Sequence, residues 1–250
     1  MSMDRVLITR PEPAAHKTAA KLKKLGFEPV LVPLFKTVFL QSSVKLNAEE
    51  YAALVFSSRN AVAAIKADMN ECAPEKVLPI YVVGRATAEA ATAAGFRDVR
   101  IGMGTGRELA QLIAQDQAGG VLRVSPERPV LYLAGAERKP DFEVELWKSD
   151  IAVVISEIYR MDKISYSTDF LNSDILSPFP RFVLLYSANA ARRFVEIFMT
   201  QTSVLADISV TAVCLSRQVA HVLPEALQRN ARIANAPNEE ELLESLSAIR

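Results

Sequence analysis

This chain of 250 residues has little of what several common chemistries need. It has two cysteines, Cys72 and Cys214, far apart and in no metal-type spacing. They read as reduced thiols of an intracellular chain rather than a disulfide framework. The two histidines, His16 and His221, stand beside no Cys or Ser motif, and no nucleophile elbow is present, so the usual triads are missing. Glycine is scarce, at nine residues, and none falls in the G-x-G-x-x-G spacing of a dinucleotide site. The loop Gly102-Met103-Gly104-Thr105-Gly106 is flexible enough to lay backbone N–H groups on an anion. It lacks the Lys-Ser/Thr of a P-loop, which argues against ATP or GTP chemistry. Twenty-nine basic residues balance twenty-nine acidic ones, so a general electrostatic grip on nucleic acid is not indicated. Any acidic ligand must be held by local geometry. No apolar run of membrane-spanning length occurs, and the first strand pattern starts at Arg5, which leaves no room for a signal peptide. A cytoplasmic protein is expected.

Half of the residues are hydrophobic, ample for real cores. Short β-branched runs alternate with Ala-rich helical patterns, which predicts parallel sheets flanked by helices. Strands are expected at residues 5–9, 30–34, 53–56, 80–83, 99–102, 130–133, 182–186 and 210–215. Helices are expected from about residue 14 to Gly26, and at 60–69, 87–94, 107–115, 142–147, 190–199, 219–228 and 239–249. Extended stretches cover 36–40 and 152–161, and 162–180 reads as a short helix plus loop. Residues 1–35 are too few for a core of their own, and the α/β pattern after residue 182 is likewise incomplete. Together they make one α/β domain, 1–35 plus 166–250. A similar α/β domain, 44–153, is inserted into it, and 36–43 with 154–165 form a two-stranded linker.

Two segments look like imperfect copies. Phe56-Ser57-Ser58-Arg59-Asn60 is followed 28 residues after Ser57 by Arg85, inside Gly84-Arg85-Ala86-Thr87. Tyr186-Ser187-Ala188-Asn189 is followed 30 residues after Ser187 by Arg217, inside Ser216-Arg217-Gln218-Val219. In each, polar residues lie where a strand ends and a helix begins, the edge at which open α/β sheets bind ligands. The same residue types also serve as plain helix caps. Arg10, Arg59, Arg85, Arg138, Arg160 and Arg217 all fall at or just beyond strand ends. Each alone reads equally as a solvated surface residue, whereas six at equivalent edges point to a ligand bearing carboxylates.

The order and spacing of these motifs resemble the uroporphyrinogen-III synthase family along nearly the whole chain. The resemblance rests on Thr9-Arg10-Pro11, Phe56-Ser57-Ser58-Arg59-Asn60-Ala61-Val62, Val83-Gly84-Arg85-Ala86-Thr87-Ala88, Leu131-Tyr132-Leu133-Ala134-Gly135 with Arg138, Tyr159, Tyr186-Ser187, and Cys214-Leu215-Ser216. It implies two α/β domains joined by a two-stranded linker, with the active site in the cleft between them. It further implies cyclisation of the linear tetrapyrrole hydroxymethylbilane to uroporphyrinogen III, with loss of water and inversion of ring D, in tetrapyrrole (haem, sirohaem, cobalamin, chlorophyll) biosynthesis. No metal or organic cofactor is implied. The partner is the small-molecule substrate, handed over by the preceding pathway enzyme, with no nucleic acid, no membrane and a monomeric state. Carried onto this sequence, the resemblance makes Tyr159 the proton donor. Arg10, Ser57, Ser58, Arg59, Gly84, Arg85, Thr87, Gly135, Arg138, Ser187 and Ser216 become substrate-binding. Val219 departs from a hydroxyl residue of some relatives, which favours binding through backbone groups there. A cofactor-free two-domain binding or sensory module for a small polycarboxylate is the alternative that fold and arginines fit equally well.

Overall fold

A computed structural model describes residues 3–41, 46–66, 77–175, 177–200 and 210–248. Cys72 and the expected helical residues 67–69 and 249 lie outside them. Long-range contacts divide the chain into two compact units, Met1–Lys36 with Asp162–Arg250, and Thr37–Met161.

The first unit is built on a five-stranded sheet in the order β11-β10-β9-β1-β2. Its strands are β1 (Arg5–Ile8), β2 (Glu28–Leu31), β9 (Phe182–Leu185), β10 (Thr211–Cys214) and β11 (Arg232–Ile233). Every neighbouring pair is parallel. Central strands such as Phe182–Leu185 are buried at every residue, as parallel strands with helices on both faces must be. On one face Leu7, Val183, Leu185 and Ala212 meet Phe194 and Phe198 of α7 (Ala188–Thr200). On the other, Val6, Ile8 and Leu184 meet Ala15, Ala19 and Leu22 of α1 (Ala14–Lys24) and Leu242 and Leu246 of α10 (Glu239–Ser247).

The second unit carries a six-stranded sheet in the order β3-β8-β7-β4-β5-β6. These strands are β3 (Phe35–Phe39), β4 (Ala53–Phe56), β5 (Ile80–Val82), β6 (Val99–Ile101), β7 (Val130–Gly135) and β8 (Val153–Lys163). The pairs from β8 to β6 are parallel. Backbone bonds from Leu40 to Ile158 and from Ile164 to Leu34 run β3 antiparallel to β8. The two extended stretches expected near 36–40 and 152–161 are thus strands of this sheet. Helices α2 (Arg59–Lys66) and α3 (Arg85–Ala93) cover one face, α4 (Gly106–Ala118) and α5 (Asp141–Lys148) the other. Thr105 and Glu108 close a reciprocal capping box at the start of α4.

Two elements differ from expectation. The helix expected over 219–228 is two short ones, α8 (Arg217–Ala220) and α9 (Glu225–Gln228). Pro224 stands at the start of the second, since it has no N–H to continue the first. The two-residue β11 is too short to leave a periodic signal. Residues 162–180 hold α6 (Thr168–Phe170) and a π-type turn, Leu171–Ile175.

A polar network ties α10 to α1 and to the end of β9. Glu239 accepts from Arg10 Nη1 at 2.6 Å, from Lys21 Nζ at 2.6 Å, from Tyr186 Oη at 3.2 Å and from the Thr18 hydroxyl. Burial pushes its carboxyl up, but hydrogen bonds from Lys21 and Thr18 and the charges of Arg10 and Lys21 outweigh that and hold it below the ordinary carboxylate range. A depressed folded-state value stabilises the fold above the ordinary carboxylate range, and that contribution is lost as pH falls through the folded value. Glu239→Gln is therefore expected to cost roughly 2 kcal/mol at neutral pH, as charged hydrogen bonds are lost. It should also flatten the acid side of a thermal-midpoint-against-pH curve, and an unchanged midpoint at pH 7 would remove the network from the account.

Candidate active site

Among the parallel strands of each sheet the chain starts at an inner strand, works outward to one side, and returns to build the other. In the first unit the reversal lies between β1 and β9, and in the second between β4 and β7. Ligands of open α/β sheets bind outside the carboxyl ends of the strands at such a point. Arg10 follows β1, Ser187 follows β9, Ser57, Ser58 and Arg59 follow β4, and Gly135 and Arg138 lie at and just beyond the end of β7, so seven of the expected site residues fall at the two reversals.

At the second unit's reversal the side chains form a connected group. Tyr132 on β7 is buried and donates its hydroxyl to Ser57 Oγ at 2.9 Å. Burial pushes the Tyr132 phenol above its ordinary value. It therefore stays a neutral donor to Ser57. Arg138 points its Nε at Glu143 Oε1 (2.6 Å) and its Nη1 at Glu157 Oε1 (2.8 Å) and at the Gly135 carbonyl (3.0 Å). Glu143 is 4% exposed and Glu157 is exposed. Glu143 Oε2 has no hydrogen-bond partner among the described residues, so Arg138 is the main compensation for its burial.

Tyr159 is placed here by a bulge. Ala134 is opposite Glu157, but Gly135 is opposite Tyr159, so β8 has one residue more than β7 at this point. A bulge breaks the strict inward–outward alternation. Ile158 is buried in the core below α2 and α3, and the half-buried Tyr159 packs against the same cluster. Its phenol ends directly above Gly135.

The remaining expected residues divide by environment. Ser58 Oγ accepts from the Asn60 N–H at 3.1 Å and Ser187 Oγ from the Ala190 N–H at 3.1 Å, so both act as helix caps. Gly84 and Ser216 are the N-caps of α3 and α8 and share one extended conformation, with φ −159° in both and ψ 172° and 167°. Arg85 and Arg217 follow as the first helical residues, and both are exposed, as is Arg59. Thr87 is buried in α3. Arg10 lies 4.1 Å above the Tyr186 ring and is paired with Glu239, with its side chain only 12% exposed. Its charge is neutralised within the fold. Ser216 and Arg217 line a cavity of about 410 Å³ with Leu215, Ile233 and Asn235, beyond the carboxyl ends of β10 and β11. Sequence reading named Tyr132 only as part of a motif, with no role, and missed Glu143, Glu157 and Glu239. Only Tyr132 carried a signal, as an aromatic inside a strand otherwise made of aliphatic residues.

A family model described as uroporphyrinogen-III synthase HemD matches residues 16–244. The porphyrin biosynthesis protein HemD of Ruminiclostridium josui is 26% identical over 226 residues, which are 86% of this chain and 43% of that protein. A putative uroporphyrinogen-III synthase of Methanocaldococcus jannaschii is 33% identical over 87 residues, 34% of this chain and 36% of that one. The chain thus spans less than half the length of the curated relatives it matches. Among solved structures, uroporphyrinogen-III synthetase from Helicobacter pylori 26695 superposes with a TM-score of 0.65 at 18% identity, covering 99% of this chain and 100% of that one. A mutant uroporphyrinogen III synthase from Thermus thermophilus gives 0.57 at 17% identity, covering 98% and 97%. These two share the fold. With the family model running through both units, the chain belongs to the uroporphyrinogen-III synthase HemD family.

Proposed function

We propose that this protein cyclises hydroxymethylbilane to uroporphyrinogen III, with Tyr159 as the proton donor to the leaving hydroxyl. The observation that carries the reading is the Tyr159 phenol. The bulge sets it half-buried at the carboxyl edge of the second sheet, over Gly135, whose carbonyl accepts from Arg138.

The chemistry needs little from the protein beyond a proton and a shape. The substrate's hydroxymethyl group sits on an electron-rich pyrrole. As its C–O bond breaks, Tyr159 gives its proton and the hydroxyl leaves as water, with an azafulvene cation left behind. A ring-D pyrrole carbon attacks that cation to form a spiro centre, and bond migration through it inverts the ring. The proton shed when the pyrrole regains aromaticity returns to the phenolate. The remaining task is to hold the chain so that attack takes the spiro route, a problem of orientation.

The substrate's carboxylates give the hold. Ser57, Ser216, Arg59, Arg85 and Arg217 stand at strand ends with groups facing solvent, and Gly84 presents a helix start. Ser58, Ser187 and Thr87 would contribute through the backbone turns that they shape. Arg10 would act through position, as part of the Glu239 network. Arg138 can exchange one partner. A substrate carboxylate would replace the exposed Glu157, while the buried Glu143 keeps the guanidinium aimed. Prompt hand-over from the enzyme that makes the substrate suits this chemistry, because the free bilane closes unaided to the uninverted isomer.

Freshly made hydroxymethylbilane incubated with the protein should give uroporphyrinogen III in place of isomer I, as read by chromatography. Isomer I alone, with folded protein, would overturn the assignment. Tyr159→Phe is expected to lower kcat about a hundredfold or more, and an unchanged kcat would strip Tyr159 of its role. Glu157→Gln removes only a competing exposed carboxylate, and should lower KM by about two- to fivefold. A raised KM would mean that Glu157 supports the site instead of competing for it.

A further inference from the structure

We infer that Gly135 is a positioning residue for the Tyr159 phenol, a glycine whose missing side chain is the space in which the ring rests. This inference rests on the reading of Tyr159 as proton donor. A Cβ built on Gly135 would lie 2.7 Å from Tyr159 Cζ, 2.8 Å from its Oη and 3.0 Å from Cε2. Carbon contacts are comfortable only at about 3.5–4.0 Å, so any side chain here must drive the phenol end away by about 1 Å.

Two other reasons for a glycine are missing at this position. The glycines with positive φ are Gly26, Gly95, Gly104 and Gly120, so Gly135 has a backbone that any residue adopts. The three nearest atoms to the built Cβ all belong to the Tyr159 ring and hydroxyl, so main chain does not crowd it first. Gly84 makes the contrast, because a Cβ there meets nothing within 4 Å.

The main chain around the pair is pinned from both sides. The Ala136 N–H donates to the Tyr159 carbonyl at 2.9 Å, and Arg138 Nη1 donates to the Gly135 carbonyl at 3.0 Å. Ile158, the neighbour of Tyr159 in the bulge, is 1% exposed. With the strands held and Ile158 packed, the free coordinate is the tyrosine side chain. Gly135→Ala should move the hydroxyl and leave the fold in place, because what gives way is the far end of a partly exposed ring.

The test compares Gly135→Ala, Tyr159→Phe and the double variant for kcat, KM, thermal midpoint and the aromatic NMR resonances of Tyr159, assigned by their loss in Tyr159→Phe. Gly135→Ala is expected to keep a midpoint within a few degrees of the parent and to shift the Tyr159 resonances. Its kcat should fall roughly ten- to a hundredfold with KM nearly unchanged. The double variant should match Tyr159→Phe within about twofold, because a misplaced hydroxyl cannot matter once it is gone. An unchanged kcat in Gly135→Ala beside an impaired Tyr159→Phe would overturn the inference and leave the proton-donor reading intact. A further loss in the double variant would overturn it too, by giving Gly135 a role apart from the phenol. Failure of Gly135→Ala to fold would refute the claim that only the ring end yields. Full activity in Tyr159→Phe would instead defeat the proton-donor reading, and the Tyr159 resonances would then decide the steric claim alone, with unshifted signals overturning it.

Discussion

The constraint behind most of this structure is the burial of parallel strands on both faces. A strand such as Ala53–Phe56 or Phe182–Leu185 is covered by helices above and below. No residue inside it can present a polar group to solvent, and its continuation must be a helix that returns over the sheet. Polar side chains, helix starts and free N–H groups are thereby collected at one edge. Ser57, Gly84, Ser187 and Ser216 are polar or small because that edge is the first place where the chain meets water after a buried strand. The chemistry of the site is a consequence of where parallel sheets allow chemistry to be.

The same constraint explains why the two units resemble one another more deeply than their sequences do. In the second unit β4, β5 and β6 run outward from the reversal and β7 and β8 lie on its other side. In the first unit β9, β10 and β11 run outward, and β1 and β2 take the other side. The first unit therefore has the same plan with its chain order cut and rejoined. The helices α1 and α5, which follow β1 and β7, start alike: their N-caps are Pro13 and Pro140, with φ of −83° and −78° and ψ of 2° in both. An arginine precedes each proline, Arg10 and Arg138, and each is neutralised by carboxylates of its own unit.

Half of that plan could be read from the sequence. The copies around Ser57 and Ser187 stand out because they run in the same order along the chain, strand, small polar turn, Ala-rich helix, and because the following Gly84 and Ser216 turns keep nearly the same spacing. The other half was hidden, since β1 comes at the start of the chain and its counterpart β7 comes after β6. Arg10 and Arg138 share little but an arginine and a nearby proline. Short or composite elements were hidden for a different reason. The two residues of β11 have no period, and the α8–α9 break depends on Pro224 within an otherwise helical pattern. Side-chain networks were the least legible, because Glu239 meets Arg10, and Glu143 meets Arg138, through folding that no spacing announces.

Those networks bear on how an overall neutral chain would hold the proposed ligand with its many carboxylates. Exposed arginines such as Arg59, Arg85 and Arg217 must be ordered on binding, at a cost in side-chain entropy. Here Arg10 is fixed by Glu239 and stacked on Tyr186, and Arg138 is fixed by Glu143. The difference between them lies in their carboxylates. Glu239 has a side chain only 20% exposed and accepts from three other groups, so Arg10 has no partner to exchange. Glu157 is half-exposed at 49%, so it is the partner that an incoming acid would displace. An ion pair with one buried and one exposed carboxylate is a cation already oriented, with one coordination direction left to an incoming acid. Preorganisation of that kind would make the net charge of zero no obstacle to the proposed ligand, because an external carboxylate would replace an internal one with little further ordering of the arginine.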